Sequence, residues 1–281
     1  MNKIRLVFIF LLLISFKNIA QNKERIKGNR EVTIKKTNIE PFNKIVIGDH
    51  LKIEVIYNSS PSVEIEADDN LHDVIVFEVI DSILSFKTTH KITSKKALKI
   101  TVNHTKDLQH IETNDNSEIR SLTSLELNDN DVTLKTNGNS RAYLNIEAKS
   151  YKHIGLDRSK VKLNLSAGST ILELSDNVKM DALINTKDAK IDLYQRATVS
   201  IEGQAQTATI RTDNNSDFDG RKFSITNCNL ICEVASDAYI EAIKSITMEI
   251  MGNSEVYLYG NPTITLNKFT DSAKLQKKET N

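Results

Sequence analysis

The sequence predicts an all-β protein, a parallel β-helix (β-solenoid) preceded by a strand-rich N-terminal region. Three observations predict it. Apolar residues alternate with polar ones over short runs bounded by turn residues, the period of a half-buried strand. Almost nowhere does an apolar period of 3.6 residues develop. From Ile111 onward one polar turn recurs at intervals near twenty residues, the mark of a chain that winds in stacked rungs.

The first twenty residues read as a secretory signal peptide. Lys3 and Arg5 form a basic start, Leu6 to Ile14 is an unbroken apolar run, and "KNIAQ" places the small residue Ala20 at a cleavage position. The run is shorter than the ~20 residues a spanning helix needs, so cleavage after Ala20 is expected, with no membrane insertion afterwards. No Cys follows the run to carry a lipid. Residues 21–40 are polar and basic and are expected to form a flexible lead-in. From Pro41 a single head domain is expected to run to residue 275, with a polar tail at 276–281. Its first part, 41–110, is strand-rich: Ile45 and Ile47 alternate, then Leu51, Ile53 and Val55, then Val63 and Ile65, with turns at Gly48-Asp49 and Asn58 to Pro61. In "NLHDVIVFEV" a short helix competes with a strand.

Residues 111–275 carry the repeat. Each copy is a turn of Asn, Asp or Gly, then a small residue, then in most copies an apolar residue two positions on. The small residues are read as Ser117, Ser140, Ser159, Ala189, Ser216, Ala238, Ser254 and Ser272, and the two longest gaps leave room for rungs at Gly168-Ser169 and Ala197. Asn and Asp suit such a column because they tolerate left-handed backbone and bond their own main chain.

Balanced charge, 37 basic against 37 acidic residues, argues against nucleic acid or an anionic membrane as the main partner. Cys228 and Cys232 are four apart in "NCNLICEV". In a strand that separation is roughly 13 Å, beyond the ~7 Å between Cα atoms that a disulfide tolerates. They are expected as buried free thiols in an inward row.

"MGNSEVYLYGNP" and "NGNSRAYL", together with the opening "FNKIVIGDHLKIEVIYNSSPSVEIEADDNL" and "ILSFKT", resemble the autotransporter adhesin head domain of GIN type, a secreted domain of Gram-negative bacteria with unknown function, named for a suspected adhesin-like role. The resemblance covers about Ile39 to Leu275. It implies a right-handed β-helix with Gly-Ser-Gly turns and a closing strand followed by Tyr-x-Gly and Pro. Gly138 and Ser140 match the turn; Gly252, Ser254, Val256, Tyr259, Gly260 and Pro262 match the closing element. Asn116, Arg158, Asp188, Asn215, Asp237 and Asp271 stand where the family has glycine, and all but Arg158 are residue types that tolerate positive φ. The resemblance supplies no catalytic residues and implies a secreted, periplasmic or cell-surface location.

Candidate sites are sparse. "TDNNSDFDGR" places Asp213, Asn215, Asp217 and Asp219 at alternating positions, as oxygen ligands of calcium would be. Read as an EF-hand from Asn215, its twelfth position is Thr226, so the bidentate Glu is missing; a rung corner held by Asx turns competes. The six histidines form no zinc spacing, and neither G-x-S-x-G nor a Gly-rich phosphate loop is present. Tyr257 and Tyr259 share one strand face and would either stack on a glycan or form an aromatic column between rungs. The reading is a non-catalytic, adhesin-like solenoid that displays a polar face to an extracellular or envelope ligand, a glycan or a protein, without a required cofactor. A polysaccharide lyase or hydrolase on the same scaffold and a self-associating envelope protein are the alternatives.

Overall fold

The computed structural model describes residues 23–279; the signal-peptide reading lies outside them. The chain winds into a parallel β-solenoid of about nine turns. Its central strands are long and bent: β13 (Arg141–Gly155), β14 (Lys160–Leu174), β15 (Lys179–Leu193), β16 (Thr198–Thr212), β17 (Asp217–Cys232) and β18 (Asp237–Ile250). Each pairs in parallel register with the next, as Arg141 with Lys160, Lys160 with Lys179 and Lys179 with Thr198. Each strand therefore supplies two sides of a rung: a leading half after the corner and a trailing half beyond a mid-strand bend. Alternation buries Val161, Leu163 and Leu165 from one half of β14, and Leu172 and Leu174 from the other. These stack on Met180, Ile184, Ile191 and Leu193 of the next rung. One such side chain contributes ~1.5–3 kcal/mol when buried.

The rungs begin earlier than the repeat suggested. β3 (Lys44–Ile47) and β4 (Lys52–Tyr57) pair in parallel with β10 (His110–Thr113) and β11 (Glu118–Ser121), so residues 44–57 already form a rung. The expected lead-in is also structured. β1 (Arg25–Lys27) pairs with β8 (Lys91–Ser94), and β2 (Val32–Asn38) lies antiparallel on β5 (Ser62–Asp68), which lies antiparallel on β9 (Leu98–His104). A buried Asp68 ties this region together by accepting the N–H groups of Arg30, Lys96 and Ala97. In the ambiguous stretch both readings hold in succession: a 3-10 helix over Asp69–Val74, then β6 (Ile75–Ile80), paired with β7 (Ile83–Thr88). At the other end β19 (Glu255–Tyr259), β20 (Thr263–Phe269) and β21 (Lys274–Lys277) form the last described turn, and β21 takes in the start of the expected polar tail.

The corner column is more regular than the sequence suggested. Ser117, Ser140, Ser159, Ser216 and Ser254 are its buried members, joined by Val178, Ala197 and Ser236. Ala189 and Ala238 instead lie inside β15 and β18 as buried core residues, and Gly168-Ser169 falls at the bend of β14. Ser272 is one residue short of the corner position, which Ala273 fills, its N–H bonded to Thr270 O. Left-handed backbone falls one residue before two of the positions read as glycine replacements, Asn116 and Arg158, on two others, and at Asp176, which the repeat did not single out. Asp115, Asp157 and Asp176 have φ near +60°, whereas Asn116, Arg158, Asp188 and Asp237 do not; Asn215 and Asp271 do. The misfit of Arg158 disappears, because its neighbour Asp157 (φ 61°) makes the turn. The acids also bond between rungs: the Gly138 N–H donates to Asp157 Oδ2 (2.8 Å) and the Asp157 N–H to Asp176 Oδ2 (3.1 Å), each across 19 residues.

Among the described residues three rung corners turn with left-handed backbone at both central residues, Asp49-His50, Asn214-Asn215 and Val234-Ala235, as does the Asp81-Ser82 turn between β6 and β7. Asn suits this geometry, while a β-branched residue at φ 53° is strained. Replacing Val234-Ala235 with Asn-Gly is expected to stabilise the fold by about 1–2 kcal/mol, a rise in Tm of roughly 2–8 °C at this chain length, measured by thermal denaturation.

Cys228 and Cys232 are free and buried in the inward row of β17. Burial pushes their thiols up, to about 12 and about 11.

Candidate functional site

Two outward faces follow from the bent rung. On the leading face, in-register pairing turns every second residue into a column running from rung to rung about 4.8 Å apart. One column reads Arg141, Lys160, Lys179, then Thr198, then Asp217, Asp237, Glu255. Three cations stack on one another and three acids follow, although like charges directly opposite on neighbouring strands oppose pairing. Among the described residues Lys160, Lys179, Asp217 and Asp237 have no ion-pair partner within 4.0 Å, whereas Glu255 is held by Lys274 at 2.6 Å. Burial raises the Asp217 and Asp237 carboxyl pKa values, and neighbouring acids add to it: Asp237 and Asp219 beside Asp217, Glu255 beside Asp237.

The next column carries Arg120, Tyr143 and Lys162, and further on Asp219, Tyr239 and Tyr257. The Arg120 guanidinium lies over the Tyr143 ring at 4.9 Å. A shallow groove of about 700 Å³ runs beside them, lined by Arg120, Tyr143, Asn145, Lys162, Asn164 and Leu183 among others. A second, of about 570 Å³, lies against Asp219, Arg221, Lys222, Glu241 and Tyr259, and both reach Ser200 and Glu202.

The trailing face differs in kind. Thr207 and Thr209 pair with Asn227 and Asn229, these with Ser245 and Thr247, and these with Thr263 and Thr265. Eight uncharged hydroxyl and amide side chains thus form two rows across four rungs. Ser245 Oγ donates to Asn227 Oδ1 at 2.8 Å, which fixes part of the array.

The sequence candidates are placed as follows. The four candidate calcium positions do not converge. Asp213 sits at the corner with its carboxylate toward Arg211 (3.4 Å), and Asn215 is a central turn residue. Asp217 and Asp219 point from the leading face, Asp219 in an ion pair with Arg221. Among the described residues no group of three or more His, Cys, Asp and Glu is arranged to hold a metal ion. Tyr257 stacks on Tyr239, ring centroids 4.5 Å apart and planes 8° from parallel, so it belongs to an aromatic column between rungs; its hydroxyl donates to Glu255 Oε2 (2.6 Å). Tyr259 lines the second groove. Gly138, Gly252 and Gly260 adopt positive φ, Ser140 and Ser254 are buried in the corner column, and Pro262 precedes β20. Sequence reading missed the charge column and the hydroxyl array, because both depend on register. The 19-residue spacing of Arg141, Lys160 and Lys179 was the available signal.

A parallel β-solenoid with a charge column on one face and a hydroxyl and amide array on the other belongs to the class of repeat scaffolds that present extended binding surfaces. Residues 41–262 match the family described as "Putative auto-transporter adhesin, head GIN domain", and the chain belongs to that family. Among solved structures it is similar to a putative adhesin from Parabacteroides merdae ATCC 43184 (TM-score 0.64, 17% identity, covering 91% of this chain and 99% of that one). It is similar to a putative adhesin from Parabacteroides distasonis ATCC 8503 (TM-score 0.64, 16% identity, 90% and 100% covered). A third similar structure, from the same organism, is described as a putative lipid binding protein (TM-score 0.59, 15% identity, 91% and 100% covered). At these identities the likeness shows the fold. No curated protein matches the chain significantly. The family supports an adhesin-like role.

Proposed function

We propose that this is a secreted or cell-surface adhesin-like protein that binds an extended, hydroxyl-rich polymer, a neutral polysaccharide, without turning it over. The observation that carries this reading is the trailing-face array from Thr207 to Thr265, which offers paired donors and acceptors at every rung. A polymer lying along the solenoid axis would meet one pair of side chains every ~4.8 Å, and many weak contacts on a rigid surface sum to useful affinity. Tyr143, Tyr239 and Tyr257 are committed to contacts within the protein and Tyr259 stands alone beside the second groove, which leaves the hydroxyl array as the larger surface with hydrogen bonds to offer.

The test is incubation with a panel of bacterial and host polysaccharides, reading retention and new reducing ends in the same wells, with and without calcium. Retention without new ends is expected, and Thr209→Lys with Asn229→Lys is expected to weaken it about tenfold or more by interrupting two of the four rungs of the array. New chain ends would replace this reading with a polysaccharide-acting enzyme. Retention untouched by the double variant would remove the array from it.

A further inference from the structure

The charge column on the leading face is antisymmetric about Thr198. Moving one rung toward the N-terminus gives Lys179 and one rung the other way gives Asp217; two rungs give Lys160 and Asp237; three give Arg141 and Glu255. A two-fold axis lying along the strand direction, through Thr198 and Ser200, reverses the order of rungs and keeps each column opposite itself. A second copy placed by that axis sets every cation of the column against an acid. From this geometry we infer that the leading face is a self-complementary surface on which a second copy of this chain docks in the reverse rung order. The operation is isologous, the commonest symmetry of soluble dimers.

The four residues that meet nearest the axis, Lys160, Lys179, Asp217 and Asp237, are those without an ion-pair partner within the protein. The repulsion of stacking like charges in each half is relieved in the pair of copies. The neighbouring column agrees with this arrangement. Lys162 falls opposite Tyr239 of the second copy and Tyr143 opposite its Tyr257, so no like charges meet there; the ring faces of Tyr239 and Tyr257 are already covered within each copy, by one another and by Arg221 and Lys278. Asp181 falls opposite Asp219, whose charge Arg221 already neutralises, and Glu202 falls near its own copy with Lys222 3.0 Å from it. A partner related instead by a two-fold axis parallel to the solenoid axis keeps the rung order and would set lysines on lysines, so the charges select one orientation.

Seven rungs at ~4.8 Å and a half-strand of six or seven residues at ~3.3 Å give about 700 Å² per copy. That is the lower end of specific interfaces. The shallow grooves along the face hold water between the copies, as polar interfaces commonly do. The dimer is therefore expected to be salt-sensitive and reversible. The trailing-face array faces away from the interface, so the pair would present two binding surfaces.

Sedimentation equilibrium of the purified chain tests this. A dimer is expected in about 50 mM salt, weakened about tenfold or more at about 500 mM. Two charge-reversed chains, Lys160→Glu with Lys179→Glu and Asp217→Lys with Asp237→Lys, are each expected to be monomeric alone and to form a 1:1 heterodimer when mixed. Thermal melting of each separates loss of association from loss of fold. Because ligand retention is read separately, loss of the dimer and loss of polymer binding are distinguishable. A chain that stays monomeric in low salt at about 100 μM (a Kd well above the range of specific dimers), a dimer indifferent to either reversal, or mixed variants that fail to associate while folded would each overturn the inference.

Discussion

Gly203→Val is expected to be the most damaging single substitution outside the apolar rows, lowering stability by about 4 kcal/mol. Gly203 stands at the bend of β16 with φ 111°, backbone that residues with a side chain rarely adopt. A Cβ built there would lie 2.2 Å from the carbonyl oxygen of Ile184, on the adjacent strand, and 2.9 Å from its carbonyl carbon. The obstacle is backbone held in a ladder, so it cannot move aside as a side-chain end would. Relief requires β15 and β16 to part at the bend, which costs parallel hydrogen bonds on both sides. Gly48→Ala is the control: its nearest neighbour is a side-chain oxygen, Asp115 Oδ2, at 3.4 Å, and its φ is not in the left-handed region. That change is expected to stay within about 0.5 kcal/mol. Thermal denaturation of the two variants beside the parent decides the matter. A Gly203→Val protein that melts with the parent would show that the bend is not held by this close approach.

Acid destabilisation centred on His153 is the second large effect. The ring is fully buried in the inward row of β13, between Leu134 and Leu172 of the neighbouring rungs. Its Nε2 lies 3.0 Å from Thr136 Oγ1, and its Nδ1 has no partner. Burial holds the pKa down at about 3, against the usual 6.5. The neutral ring is therefore native. Above pH 6.5 folded and unfolded chains are both neutral at this position and its contribution is complete. As pH falls through 6.5 the unfolded chain takes up a proton that the folded chain refuses, and stability drops until about pH 3. By pH 4 the loss is about 3 kcal/mol at 1.36 kcal/mol per unit. His153→Leu is expected to remove this part of the pH dependence, with a change at pH 7 of about 1 kcal/mol or less. Thr136 Oγ1 keeps its bond to Ser159 Oγ (2.8 Å), so no hydroxyl is orphaned. Burial also lowers His104 and His110, so the informative quantity is the difference between parent and variant in denaturant midpoint from pH 7 to pH 4. Parallel curves for the two proteins would refute the assignment.

Both effects arise from residues whose importance was hidden in the linear pattern. Gly203 sits in "EGQAQ", without a partner Pro, Asn or Asp to mark a turn, and so differs from Gly252 or Gly260 in their conspicuous turns. His153 matches no ligand spacing, and in a single strand nothing marks it as buried. The corners show the same limit in milder form. Ser117, Ser140, Ser159, Ser216 and Ser254 stood out because a polar turn precedes each. Ala197 was legible only as room for a further rung, and Val178 follows a turn too, but its apolar, β-branched side chain made it look like an ordinary strand residue. Val234-Ala235 has no turn chemistry at all; the neighbouring rungs impose a turn that its own residues disfavour.

By itself the sequence determined that the chain is a stack of β rungs, which residues face inward, and that the two cysteines stay unpaired. These properties are local: alternation with period two decides the buried face, and strand geometry separates residues four apart. Only the tertiary structure decided register, and with it everything on the surface. Whether Lys160 lies over Lys179 or over Asp181 depends on a one-residue choice between adjacent strands, and such a slip exchanges the faces of an entire strand. The charge column, the hydroxyl array and the tyrosine stack are products of that choice. It is made by the apolar rows and the corner bonds, which reward one alignment of neighbouring rungs above the others.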